Sequence, residues 1–101
     1  MDKRFQGRND VSTVSVAVSD GAGHFPAVAM NISHSGLAID GVPHELNHRV
    51  EILTLNVSSP SGQSYLLRAM PRWVSENRHK KTVGLRIFSA PRDWFRFVDN
   101  F

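Results

Sequence analysis

Arg4 and Arg8 stand four residues apart near the start of the chain, and after 22 intervening residues (9–30) comes Asn31-Ile32-Ser33-His34-Ser35-Gly36, which reads N-x-S-x-x-G. An arginine fork donates two parallel hydrogen bonds to a phosphate, or to the O6/N7 edge of guanine. On an extended arm the two arginines lie roughly 13 Å apart by strand rise, enough to hold a small ligand from two sides. Asn31 can accept from a guanine N–H through its side-chain carbonyl, and Ser33 adds a hydroxyl. Gly36 either lets backbone or ligand come close or takes a positive φ. Phosphate and guanine together are what a guanine nucleotide presents.

Neither half carries this reading alone. R-x-x-x-R occurs three times, at Arg4/Arg8, Arg68/Arg72 and Arg92/Arg96, and only the first precedes the polar turn. Arg92 and Arg96 fit one solvated helix face, and Arg68 and Arg72 fit outward strand positions. N-x-S-x-x-G by itself also describes a tight turn in which Asn and Ser bond local backbone. His44-Glu45-Leu46-Asn47-His48 matches H-E-x-x-H. Zinc chemistry on that motif needs a helix that puts both histidines on one face, and Gly41-Val42-Pro43 before it and a β-pattern from Val50 leave no room for one. A surface loop joining two strands is the expectation there. No nucleophile, base and orienting group converge in the pattern, so the chain reads as a non-enzyme with no metal and no cofactor.

The size, 101 residues with 41% hydrophobic and 21% charged, suits one domain with a single modest core. Cysteine is absent, which rules out disulfides and thiolate cages and fits a cytoplasmic location. The first ten residues lack the apolar run of a secretion signal, and no stretch reaches the roughly 18 apolar residues of a membrane span, so no membrane insertion is expected. Nine arginines against three lysines favour phosphates and planar polar groups. A net charge of +3 is far from the surplus of a polyanion-binding surface.

These residues need a scaffold, and the pattern supplies one. Residues 1–10 have no periodicity and read as a flexible arm, with the ordered domain, 11–101, beginning near Val11. Val14, Val16 and Val18 alternate with small residues as a half-buried strand, and Asp20-Gly21 is a hairpin turn signal that brings Phe25 to Ile32 back antiparallel. Leu37-Ala38-Ile39, Val50 to Val57, Tyr65 to Ser75 and the alternation Val83, Leu85, Ile87 give four more strands. Pro71 implies an edge or a bulge. Ser89 is an expected helix N-cap, and Trp94, Phe95, Val98 and Phe101 form the aromatic side of a short helix over about 91–101. Six short strands and a terminal helix make a closed antiparallel barrel the natural solution, because closure removes exposed edges. The helix should close one mouth, with Gly84 allowing it to pack closely on the sixth strand.

With those residues in view the chain resembles the PilZ domains, bacterial receptors for cyclic di-GMP. The resemblance runs from Arg4 through N-x-S-x-x-G to Val83-Gly84-Leu85-Arg86-Ile87-Phe88, which is similar to that family's G-x-x-F strand, and on to the C-terminal helix. It implies an all-β fold, a six-stranded antiparallel PilZ-type barrel with a C-terminal α-helix. It further implies that Arg4, Arg8, Asn31, Ser33 and Gly36 bind cyclic di-GMP.

Lys3 departs from the family pattern. An Arg before the first motif arginine goes with an intercalated pair of ligand molecules, and an apolar residue with one. Lys3 keeps the charge without the fork and leaves the stoichiometry open. The resemblance also implies a stand-alone receptor that signals through an effector protein. The expected switch is the arm, disordered without ligand and wrapped over the nucleotide with it. The competing class is an oligonucleotide-binding barrel, suggested by a pI near 10.0 and by aromatics beside basic residues. Against it, Trp94, Phe95 and Phe101 fit a buried helix face and no stacking platform is evident in the strand pattern, so nucleic acid is not the expected partner.

Overall fold

The computed structural model describes residues 14–101. Lys3, Arg4, Arg8, the arm 1–10 and the expected domain start at Val11 lie outside the described residues. Six strands follow in order, β1 (Ser15–Ser19), β2 (His24–Ile32), β3 (Gly36–Val42), β4 (Leu53–Ser58), β5 (Ser64–Glu76) and β6 (Lys81–Ser89), and then α1 (Arg92–Asp99). They close into an antiparallel barrel in the order β1-β2-β3-β6-β5-β4. Two three-stranded meanders are thus sealed along two seams, β3 on β6 and β1 on β4. The expected barrel with a C-terminal helix is the fold observed. No helix of the described residues is long and apolar enough to cross a membrane.

The period-2 pattern explains the closure. Val16 and Val18 of β1, Leu53, Leu55 and Val57 of β4, Tyr65 and Leu67 of β5, and Val83, Leu85 and Ile87 of β6 all point inward and are buried. Asp20 turns the first hairpin by accepting from the N–H groups of Ala22 and Gly23, each at 2.9 Å, and Gly21 takes the left-handed φ of +92° that the turn requires.

Each mouth has its own plug. At one, Trp94 of α1 is buried against Tyr65, and Phe97 stacks on Tyr65 with ring centroids 4.9 Å apart. At the other, the 43–52 loop inserts Leu46, which is buried. Lys81 reaches under that loop, donating to the carbonyl oxygen of Leu46 and to Nδ1 of His48 at 2.8 Å. The Asp20 carboxylate meanwhile accepts from the N–H of Asn47 at 2.8 Å.

Several expectations are corrected. The fourth strand starts at Leu53 and not at Val50, because the chain is still crossing the barrel mouth there. The helix is Arg92–Asp99, capped by Pro91 in extended conformation with no side-chain cap, so Ser89 does not serve. Proline's fixed φ and missing N–H start the helix without a hydroxyl. Phe95 is exposed, and the aromatic packed inward beside the buried Trp94 is the partly buried Phe97, because positions 94, 97, 98 and 101 form the inward stripe. The H-E-x-x-H segment is a helix-free loop as expected, but its Leu46 is core. Among the described residues no group of three His, Asp or Glu side chains is placed to hold a metal ion.

Candidate functional site

The N-x-S-x-x-G segment forms the turn between β2 and β3. The N–H of Ser33 donates to the carbonyl oxygen of Gly36 at 2.8 Å. The Ser33 hydroxyl accepts from the N–H of Gly36 at 3.0 Å and donates to the Gly36 carbonyl at 3.1 Å. Its proton is therefore used within the turn, and what it can offer a ligand is its remaining lone pair. The turn reading of the motif is thus realised by Ser33 and Gly36, while Asn31 belongs to β2, where it pairs with Ala38.

Gly36 does not have a positive φ. A Cβ there would lie 3.1 Å from the carbonyl oxygen of Leu85, so the glycine permits close approach of β3 to β6. Of the two reasons offered for this glycine, close approach stands and left-handed backbone does not.

Strand register sets what surrounds the turn. Asn31 on β2 pairs with Ala38 on β3, Ala38 with Gly84 on β6, and Gly84 with Trp73 on β5. Residues paired across a ladder share a face, so these four form one outward row with an amide at one end, an indole at the other and two small residues between. The indole lies over Gly84: a Cβ on that glycine would fall 2.0 Å from Nε1 of Trp73. Gly84 thus makes room for Trp73, not for α1. β5 slips register between Pro71 and Trp73, the bulge that Pro71 implied.

The outcome is an open cleft of about 260 Å³ lined by Asn31, Ser33, Gly36 and Arg72, with Trp73 as one wall and Ala38 and Gly84 in its lining. Asn31, Ser33 and Gly36, expected as binding residues, are brought together here. Arg4 and Arg8 lie outside the described residues. Arg72 and Trp73 were not singled out for the site. Arg72 does point outward as expected, but into the cleft. The clue in the sequence was the pair Trp73 and Gly84, an exposed aromatic opposite a strand glycine, which only the β5–β6 register brings together. Phe88 is exposed on β6, and the inward position following Gly84 and Leu85 is taken by Ile87.

The turn is tied to the rest of the molecule on two sides. The carbonyl of Ser35 accepts from the N–H of Ile87 at 2.8 Å. His34 contacts the Asp99 carboxylate through Nε2 at 2.6 Å and meets Phe95 edge-on at 5.4 Å, which joins the turn to α1.

Comparison with protein-family models, with curated proteins and with solved structures returned no match. What the fold and the cleft define is a small closed antiparallel β-barrel carrying a polar cleft on its outer face.

Proposed function

We propose that this chain is a cyclic di-GMP receptor of the PilZ type that passes the second-messenger signal to a partner protein. The observation that carries the proposal is the cleft, in which the turn residues Asn31, Ser33 and Gly36 face an arginine fork and an indole across a floor of small side chains. Indole stacks on a purine, the Asn31 carbonyl accepts from guanine N–H groups, and Arg72 pairs with phosphate or with a guanine edge. The volume lies just below the roughly 300–1,000 Å³ of pockets that bury a drug-sized ligand. It would accept one base and its phosphate, with Arg4 and Arg8 completing the site from the other side of the nucleotide.

The test is a calorimetric titration with cyclic di-GMP of the parent, Arg8→Ala and Arg72→Ala. Loss of a charge-assisted bond is worth about 1.5–3 kcal/mol, roughly 10- to 150-fold in affinity. Saturable binding that either variant weakens by that factor supports the reading, and the stoichiometry decides what Lys3 left open. Absence of binding to the parent, or affinities unchanged in both variants, removes it.

A second reading, an oligonucleotide-binding barrel, gains from one observation. Trp73 and Phe88 are 48% and 49% exposed on adjacent strands, two outward aromatic side chains that the strand pattern did not reveal. Such a site would bind single-stranded RNA with a steep salt dependence through counterion release, whereas two phosphates give a shallow one.

A further inference from the structure

Beyond the cleft, the outer face of the β4–β5–β6 wall carries a patch that the proposed nucleotide site does not use. Met70 of β5 pairs with Arg86 of β6, so both project from the same face, and Leu66, Arg68 and Phe88 are the neighbouring outward positions. Leu66 is 60% exposed, the most exposed large hydrophobic residue among those described. Tyr65, Leu67, Ala69 and Ile87, which alternate with these residues, are buried, so the outward set is fixed by the pleat. The bordering positions of β4, Thr54 and Asn56, are uncharged. Outward positions of β4, of β6, and of β5 from Ser64 to Met70 carry no Asp or Glu. Leu66, Met70 and Phe88 thus alternate with Arg68 and Arg86 on this face, with no carboxylate at its outward strand positions.

We propose that this face docks a partner protein through a segment that combines carboxylates with large apolar side chains. Apolar residues interleaved with arginine match the composition of an interface, where leucine, methionine and phenylalanine lose water and arginine pairs with carboxylates. Charge complementarity selects the occupant. A second copy of this chain docked face to face would bring arginine against arginine, which costs free energy instead of supplying it. An oligonucleotide would leave Leu66 and Met70 without stacking partners, since aliphatic side chains give no π-face to a base. The proposal stands apart from what fills the cleft, although Arg86 pairs with Gly36 of the polar turn and makes the two surfaces contiguous.

The experiment selects a random twelve-residue peptide library on the immobilised parent and counter-selects it on an Arg68→Glu/Arg86→Glu double variant. Both side chains are exposed, so the variant should keep the parent's melting temperature, and circular dichroism verifies this. Enriched peptides are expected to combine Asp or Glu with Leu, Phe or Trp. A synthetic copy should bind at least tenfold more weakly to the double variant and to Leu66→Ser. Its amide shift changes in a nitrogen-15 spectrum should centre on residues 66–70 and 86–88. Enrichment of Lys/Arg peptides, no enrichment that distinguishes the two proteins, or shifts centred elsewhere overturns the proposal. Tight binding of single-stranded RNA to this face, or a dimer that Leu66→Ser disperses in sedimentation, would also overturn it. Cyclic di-GMP is titrated separately, so failure of the cleft reading leaves these outcomes unchanged.

Discussion

Replacing Gly84 by alanine isolates the feature that shapes the cleft. The new methyl would lie 2.0 Å from Nε1 and 2.1 Å from Cε2 of Trp73, well inside van der Waals contact, so the indole must swing away. Trp73 is 48% exposed, so about half of its surface is covered. A tryptophan buries up to about 250 Å², and losing half of that at about 25 cal/mol per Å² costs about 3 kcal/mol. Alanine in a strand recovers about 0.5–1 kcal/mol of the conformational cost of glycine.

The net loss is about 2 kcal/mol, which for a domain of this size lowers the melting temperature by roughly 8–16 °C. The assay is thermal unfolding followed by circular dichroism on parent, Gly84→Ala, Trp73→Ala and the double variant. In the Trp73→Ala background the added methyl has nothing to displace and should be neutral or slightly stabilising. An equal loss in both backgrounds would refute the argument that Gly84 exists for Trp73, as would a Gly84→Ala melting temperature within about 2 °C of the parent. If the indole stacks on a base, Gly84→Ala should also weaken cyclic di-GMP binding, by about 1–3 kcal/mol as for a lost stacking partner.

Other substitutions follow from the same geometry. Gly36→Val should lower the melting temperature because its Cβ would lie 3.1 Å from the Leu85 carbonyl, whereas Ser33→Ala removes only hydroxyl bonds within the turn, at about 0.5–1.5 kcal/mol; paired thermal melts rank the two. Trp94→Ala should cost about 3–5 kcal/mol, and Trp94→Phe much less, since the buried indole Nε1 has no hydrogen-bond partner among the described residues; urea midpoints check both. Burial, and then the Lys81 ammonium, hold the pKa of His48 below its ordinary 6.5. The folded state therefore binds this proton less readily than the unfolded state. The stability it contributes is full above about pH 6.5 and is lost as pH falls through the lower folded value. Urea unfolding between about pH 7.5 and 5 should show a steeper acid loss for the parent than for His48→Gln, and amide exchange in residues 44–49 should rise first.

Much of the fold was legible because strand alternation is a local signal. Val14, Val16 and Val18, or Val83, Leu85 and Ile87, declare their buried side from nearest neighbours, and Asp20-Gly21 declares its turn from its own dihedral needs. Ser33 and Gly36 were legible as a turn for the same reason, since their hydrogen bonds close within four residues. The helix was harder to read: Phe95 and Phe97 both carry aromatic rings, and only the direction of approach from Pro91 decides which faces Tyr65. The 43–52 loop looked like surface because six of its ten residues are polar or charged; that Leu46 is core follows from Lys81, 35 positions away, donating to its carbonyl. The cleft shows the same division. Trp73 and Gly84 lie in different strands, and their meeting depends on a one-residue slip near Pro71 that sets the β5–β6 register. Sequence by itself determined which strand residues are inward and where the strands turn, because those depend on local dihedrals and period. Tertiary structure decided which outward residues become neighbours, because that depends on how β3, β6 and β5 are registered across a closed barrel.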